Sequence, residues 1–235
     1  MRILLVSAFA LVLPIGASAQ NLQTISAEAE LSTARVITKT GRGSGFAVGK
    51  GQNGTFYVVT NNHVIEGHRD AIVAFGLKDR VVGYAAKVIN ASAEMDLAIL
   101  HVFPKGSENH SVPLVPLATR EINKGEEVFA LGFPGSTDFW VGDKTSPDAF
   151  ETTLTRGVVS KVSTGSWGGQ SMQIELVLHT ATINKGNSGG PLFNYCGQVM
   201  GVNTAGLIQA NDNYVSSSSN TLAGFLRGSN IPFST

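Results

Sequence analysis

The segment Asn184-Lys185-Gly186-Asn187-Ser188-Gly189-Gly190-Pro191-Leu192 sets one serine hydroxyl among glycines. Glycine opens backbone conformations closed to residues that carry a Cβ, so the amides of Gly186 and Ser188 can converge on one small concavity beside the hydroxyl. Two such donors stabilise an oxyanion, and loss of one typically costs about 3 kcal/mol of barrier. The chemistry this arrangement serves is attack of an alcohol on a carbonyl carbon. An unassisted alcohol is a weak nucleophile and needs a base, which itself needs an orienting group. In a chain with 27 glycines the pattern G-x-S-x-G is also an ordinary tight turn. Whether a base and its orienter exist, and in what order, decides between the two.

The same five-residue pattern matches the nucleophile elbow of α/β-hydrolases, whose triad runs serine, then acid, then histidine. No histidine follows Ser188, the last being His179, so that order is excluded. Five histidines precede the serine: His63, His68, His101, His110 and His179. His63 follows Phe56-Tyr57-Val58-Val59-Thr60, a β-branched and aromatic run that reads as a strand. It therefore stands at a strand-to-turn junction, where a ring can be held at a cleft. His68 and His110 have polar, charged neighbours; His101 ends an apolar run; His179 lies in another strand-like run and is placed to line a cleft. His63, Glu66 and His68 lack the spacing of helical zinc motifs, so no metal is expected. For the orienting acid, Asp96 opens the apolar strand Leu97-Ala98-Ile99-Leu100-His101-Val102. A carboxylate buried there costs several kcal/mol unless paired and hydrogen-bonded, and an imidazole N–H is a suitable partner. Glu94 competes but stands further from the strand.

His63, Asp96 and Ser188 thus occur in the chain order of chymotrypsin. Their contexts, Thr60-Asn61-Asn62-His63-Val64, Met95-Asp96-Leu97-Ala98-Ile99-Leu100 and Gly186-Asn187-Ser188-Gly189-Gly190-Pro191-Leu192, resemble trypsin-like serine proteases of the HtrA/Deg type. Gly43-Ser44-Gly45-Phe46 is similar to the family's first-barrel strand before the histidine, and Val199-Met200-Gly201-Val202-Asn203-Thr204-Ala205 to the second-barrel strand that pairs with bound peptide. The resemblance covers residues 33–230 and implies an all-β fold of two six-stranded antiparallel barrels with the active site between them. It also implies catalytic roles for His63, Asp96 and Ser188, an oxyanion hole built from Gly186, Asn187 and Ser188, and no cofactor.

The elements that must position these groups read as short strands at 56–59, 71–75, 81–88, 97–102, 127–131, 152–162, 172–178 and 198–203, separated by turns rich in Gly, Asn, Pro and Ser. Residues 22–35 are expected to form a short N-terminal helix. The inter-barrel linker is expected at 103–121, where four prolines and glycines interrupt regular structure, dividing the chain into 20–115 and 116–235. No internal repeat is visible. The serine-rich run 216–220 reads as a loop tip.

Met1-Arg2, an apolar run over 3–16 and Ala17-Ser18-Ala19 form a signal-peptide pattern, giving a leader at 1–19 and export to the periplasm or beyond a bacterial cell. The run is short of the roughly 20 residues of a membrane span, so no stable membrane insertion is expected after cleavage. Cys196 is the only cysteine, so no intramolecular disulfide can form. Lys and Arg number 17, as do Asp and Glu, which leaves no electrostatic case for nucleic acid.

By resemblance, polypeptides are the substrates, and the first specificity pocket involves Thr182, Ile183, Asn203, Thr204 and Ala205. Thr182 stands where trypsin carries the acid that selects basic residues. The apolar lining implies small or medium aliphatic side chains, with broad tolerance because one methylene is worth only about 1–3 kcal/mol. Asn187 replaces the Asp that pairs with a new N-terminus in digestive relatives, so zymogen cleavage is not expected. Residues 139–150 suggest an enlarged loop. The chain ending at Thr235 predicts neither the family's C-terminal helix nor a PDZ domain. The alternative from a different functional class is a chaperone-like or peptide-binding module that keeps this fold with little turnover.

Overall fold

The computed structural model describes residues 17–77, 80–104, 111–135, 147–206 and 213–235. Among them, twelve antiparallel strands form two closed barrels. The first comprises β1 (Thr33–Ile37), β2 (Arg42–Lys50), β3 (Phe56–Thr60), β4 (Asp70–Leu77), β5 (Arg80–Ser92) and β6 (Leu97–Phe103). The second comprises β7 (Glu127–Gly132), β8 (Thr153–Gly165), β9 (Ile174–His179), β10 (Pro191–Asn194), β11 (Val199–Gly206) and β12 (Tyr214–Ser218). Strand order is β1-β2-β3-β6-β5-β4 in one and, read in the same sense, β7-β8-β9-β12-β11-β10 in the other. The topology is therefore repeated, although no repeat is visible in the sequence. Helices α1 (Ala17–Glu30), α2 (Asn62–Ile65) and α3 (Ser219–Gly228) complete the fold.

Successive residues of a strand face opposite sides of a sheet, and here both sides of several strands are dry. Phe46, Val59, Leu97 and Ile99 enter a core shared by the barrels, whereas Ala47, Val58, Ala98 and Leu100 fill the interior of the first. Likewise Phe129 and Leu131 face the shared core, and Val128 and Ala130 the interior of the second barrel. This two-sided burial explains why these strands read as continuous apolar runs rather than alternating ones. By contrast β5 alternates buried Val82, Tyr84 and Ala86 with exposed positions.

The chain between the barrels changes partners at a definite point. Val115 N–H donates to Ala47 of β2, whereas Ala118 N–H donates to Val199 of β11. We propose the division of the chain there, at 115/116.

Three expectations are corrected. The N-terminal helix ends at Glu30, not at residue 35, because the β-branched stretch from Thr33 pairs with β2 and β4. Residues 216–219 are not a loop tip: their side chains are at most 1 % exposed, and 216–218 belong to β12. A C-terminal helix is present. Ser218 caps it, accepting from Thr221 N–H at 3.1 Å, and Leu222, Ala223, Phe225 and Leu226 of α3 pack into the shared core. The part of the leader at 1–16 and the part of the enlarged loop at 139–146 lie outside the described residues. No described helix is long and apolar enough to cross a membrane.

His179 of β9 is wholly buried, with Nε2 3.0 Å from Ser216 Oγ and the ring stacked near Tyr214. Burial disfavours the charged ring and lowers its pKa to about 4; a weaker upward pull from the Ala181 backbone does not offset this, and Nδ1 has no partner in good geometry. Between the ordinary value near 6.5 and about 4, the unfolded chain binds a proton that the folded chain refuses. Stability therefore falls as pH drops through that window, by an amount on the order of 3 kcal/mol, and is flat from this source below it. Thermal unfolding across pH is expected to show that fall in the parent protein and a shallower one in His179→Gln.

Candidate active site

His63 sits in the single helical turn α2, directly after β3. Val64 and Ile65 of that turn are buried in the first-barrel core, which turns His63 outward with 44 % of its side chain exposed. Asp96 precedes β6 and is 2 % exposed. Its two carboxylate oxygens have separate tasks: Oδ1 accepts from the His63 backbone N–H at 3.0 Å, and Oδ2 lies 2.8 Å from His63 Nδ1. A carboxylate only accepts, so in the neutral ring Nδ1 carries the proton and Nε2 is left as the free base.

Asp96 adopts φ +50, a left-handed conformation uncommon outside glycine. Two groups brace it. Asn61 Nδ2 donates to the Asp96 carbonyl at 2.7 Å, and Ser217 Oγ of β12 donates to the neighbouring Met95 carbonyl at 2.9 Å. Asn61 Nδ2 also reaches Thr204 Oγ1 at 3.2 Å, so this one amide links the acid's turn to the second barrel.

Ser188 belongs to the turn between β9 and β10. Glycine is required beside it. Gly189 has φ +85, and a Cβ there would overlap the Ser44 carbonyl and Thr60 Oγ1; Gly186 has φ +105, and a Cβ there would overlap the Phe133 carbonyl. The serine and histidine neighbourhoods meet at Gly43. A Cβ on Gly43 would lie 2.6 Å from Val64 Cγ2 and 2.9 Å from the Ser188 carbonyl oxygen. Ser188 Oγ donates to the Thr204 carbonyl at 3.1 Å. Among the described residues the N–H groups of Gly186 and Ser188 have no acceptor, whereas Asn187 N–H is committed to the Asn184 carbonyl at 2.9 Å. Asn187 therefore separates two unengaged amides along the chain, its own N–H turned to Asn184.

The expected pocket residues divide. Thr182 is half-buried, its carbonyl accepting from Thr155 Oγ1, and Ile183 is packed in the second-barrel interior. Asn203 is fully buried and turned inward, donating Nδ2 to Pro191 and accepting from Ser216 Oγ. Thr204 presents its carbonyl to Ser188 Oγ, and Ala205 pairs through its backbone with Val215. Asn187 is 3 % exposed with Oδ1 unpartnered. Among the described residues no group of three or more His, Cys, Asp or Glu side chains is placed to hold a metal ion. Sequence reasoning missed the side chains of Asn61 and Ser44, although both lie in quoted motifs; only the distant partners reveal them.

A two-barrel β fold with a histidine–carboxylate pair on one barrel and a glycine-flanked serine on the other defines the chymotrypsin-like class. The trypsin-like peptidase domain profile matches residues 43–202. The chain belongs to the trypsin-like peptidase domain family. It is 33 % identical over 172 residues to a serine protease Do-like HtrA of Bacillus subtilis, covering 71 % of this chain and 34 % of that one. It is 36 % identical over 163 residues to a probable periplasmic serine endoprotease, DegP-like, of Hahella chejuensis, covering 69 % and 29 %. The chain thus spans about a third of the length of the curated relatives it matches. The Rv3671c protease of Mycobacterium tuberculosis in its active form shares the fold, with TM-score 0.70 at 22 % identity, covering 100 % of this chain and 97 % of that one.

Asn61→Ala leaves the Asp96 carbonyl without its donor in a buried site. Denaturant unfolding is expected to show a loss of about 1–3 kcal/mol, with a smaller loss in Asn61→Ser if the shorter side chain regains part of the contact.

Proposed function

We propose that the chain is a serine endopeptidase acting through an acyl-enzyme. The observation that carries this reading is the Asp96 carboxylate gripping both the main chain and Nδ1 of His63, with Ser188 and two unengaged amides across the barrel seam. In this mechanism His63 Nε2 takes the Ser188 proton as Oγ attacks the peptide carbonyl carbon. Asp96 fixes the tautomer and stabilises the imidazolium. The Gly186 and Ser188 amides receive the oxyanion. The imidazolium then protonates the leaving amine, and water, activated by the same ring, releases the acid product.

The bond from Ser188 Oγ to the Thr204 carbonyl describes a resting nucleophile that must rotate toward His63 before it attacks. Substrates are polypeptides, unfolded or exported, cleaved after small or medium aliphatic residues; support for this comes from threonine at 182, where trypsin carries an acid, from apolar Ile183 beside it and, for polypeptides, from the names of the relatives. Those relatives named periplasmic, with the leader pattern at the N-terminus, support export. The same resting bond favours a second reading, a peptide-holding module with little turnover.

A fluorophosphonate probe separates the two. The peptidase reading expects stoichiometric labelling at Ser188, none in His63→Ala, and a fall in casein cleavage of at least about 10⁴-fold in Ser188→Ala with the fold retained. Absence of labelling in the folded parent protein, with peptide still bound, would establish the module.

A further inference from the structure

An oxyanion hole requires more than free amides: the peptide planes that carry them must be kept from turning over. In the loop before Ser188, the Lys185–Gly186 plane is held by Gly135, whose N–H donates to the Lys185 carbonyl at 2.8 Å. A trans peptide places its N–H opposite its carbonyl, so this bond aims Gly186 N–H away from 133–135. The next plane is held by Ser44 of β2, whose Oγ donates to the Gly186 carbonyl at 2.7 Å. On the far side of that plane, Asn187 N–H meets Asn184.

Ser44 does more than hold one carbonyl. Its Oγ also accepts from Phe133 N–H at 3.0 Å, so the hydroxyl ties the loop to the strip that carries Gly135. Its own N–H donates to the Ser188 carbonyl at 2.8 Å. Its carbonyl accepts from Thr60 Oγ1 at 2.7 Å, at the end of the strand that leads to His63. The side chain is wholly buried, and both of its hydrogen-bond partners are main-chain groups of the second barrel.

We propose that Ser44 is a positioning residue for catalysis: its hydroxyl fixes the Gly186–Asn187 peptide, the plane between the two that carry the Gly186 and Ser188 amides, and so keeps both amides facing a developing oxyanion. The inference rests on the peptidase reading above. Its consequence is selective. A bond that orients oxyanion donors matters in the tetrahedral state and little in the ground state, so its loss lowers kcat and leaves KM in place. A residue that merely supports the fold has no such selectivity.

The test compares Ser44→Ala with the parent protein in three measurements: steady-state cleavage of a peptide substrate, affinity for a peptide boronic acid that forms a tetrahedral adduct on Ser188, and thermal unfolding. The expected result is a fall in kcat of about 10- to 100-fold, a matching loss of boronate affinity, and KM within about twofold. Ser44→Thr, which restores a hydroxyl, is expected to recover boronate affinity relative to Ala. If Ser44→Ala does not fold, Ser44→Cys, of similar shape and a weak donor, takes its place with the same readouts. Unchanged kcat and boronate affinity, or equal weakening of KM and boronate affinity, overturns the proposal while the peptidase reading stands. A folded parent protein that neither cleaves nor takes the fluorophosphonate label overturns both.

Discussion

The backbone bond from Ser44 N–H to the Ser188 carbonyl is the contact on which the site's geometry turns. The proposed base and its acid belong to the first barrel, the proposed nucleophile to the second. Proton transfer tolerates little error in distance, so two rigid bodies must meet in one register. That bond sets the register at the serine itself. Close approach of the two main chains is possible because Gly43 and Gly189 present no Cβ where strand and loop cross. Around it, Asn61 to Thr204 and Ser217 to Met95 repeat the same kind of link, side chain on one barrel to main chain or hydroxyl on the other.

These polar links are strong where they are because the shared core excludes water behind them. Phe46, Ile99, Phe129 and Phe193 come from both barrels, and α1 and α3 add Leu22 and Leu226 to the same cluster. A hydrogen bond in such surroundings is expensive to leave unmade. The same logic explains His179, whose neutral ring sits at one end of a chain through Ser216 and Asn203 to the Pro191 carbonyl, three residues from the nucleophile. Asn203 thus serves the wall of the second barrel more than an open pocket.

Fold class and the histidine–acid–serine order were legible because they depend on local residue type and on order along the chain. Strands such as β3, β6 and β11 were legible for the same reason. What escaped depends on partners far away in sequence. The serines at 216–219 look like a polar loop, yet Ser216 meets His179, Ser217 meets Met95, and Ser219 donates to Ala118, 101 residues earlier. Hydropathy registers their polarity and not their acceptors. β10 is four residues long and too short for a pattern, and β1 was absorbed into a helix because its apolar residues also suit one. Ser44 was read as part of a strand; its role lies 142 residues away at Gly186.

The strands buried on both faces have a thermodynamic consequence. Detaching either barrel would strip the shared face of β2, β6 and β7, exposing large aliphatic and aromatic side chains of its neighbour at once. Exposing that face carries a large hydrophobic cost on top of each barrel's own interior, so separated barrels are not a low-lying state. Loss of the site by parting the barrels and loss of the fold are then a single cooperative event. Heating or denaturant should extinguish the cleft no earlier than the molecule, and the unfolding curve is a gauge of the site as well.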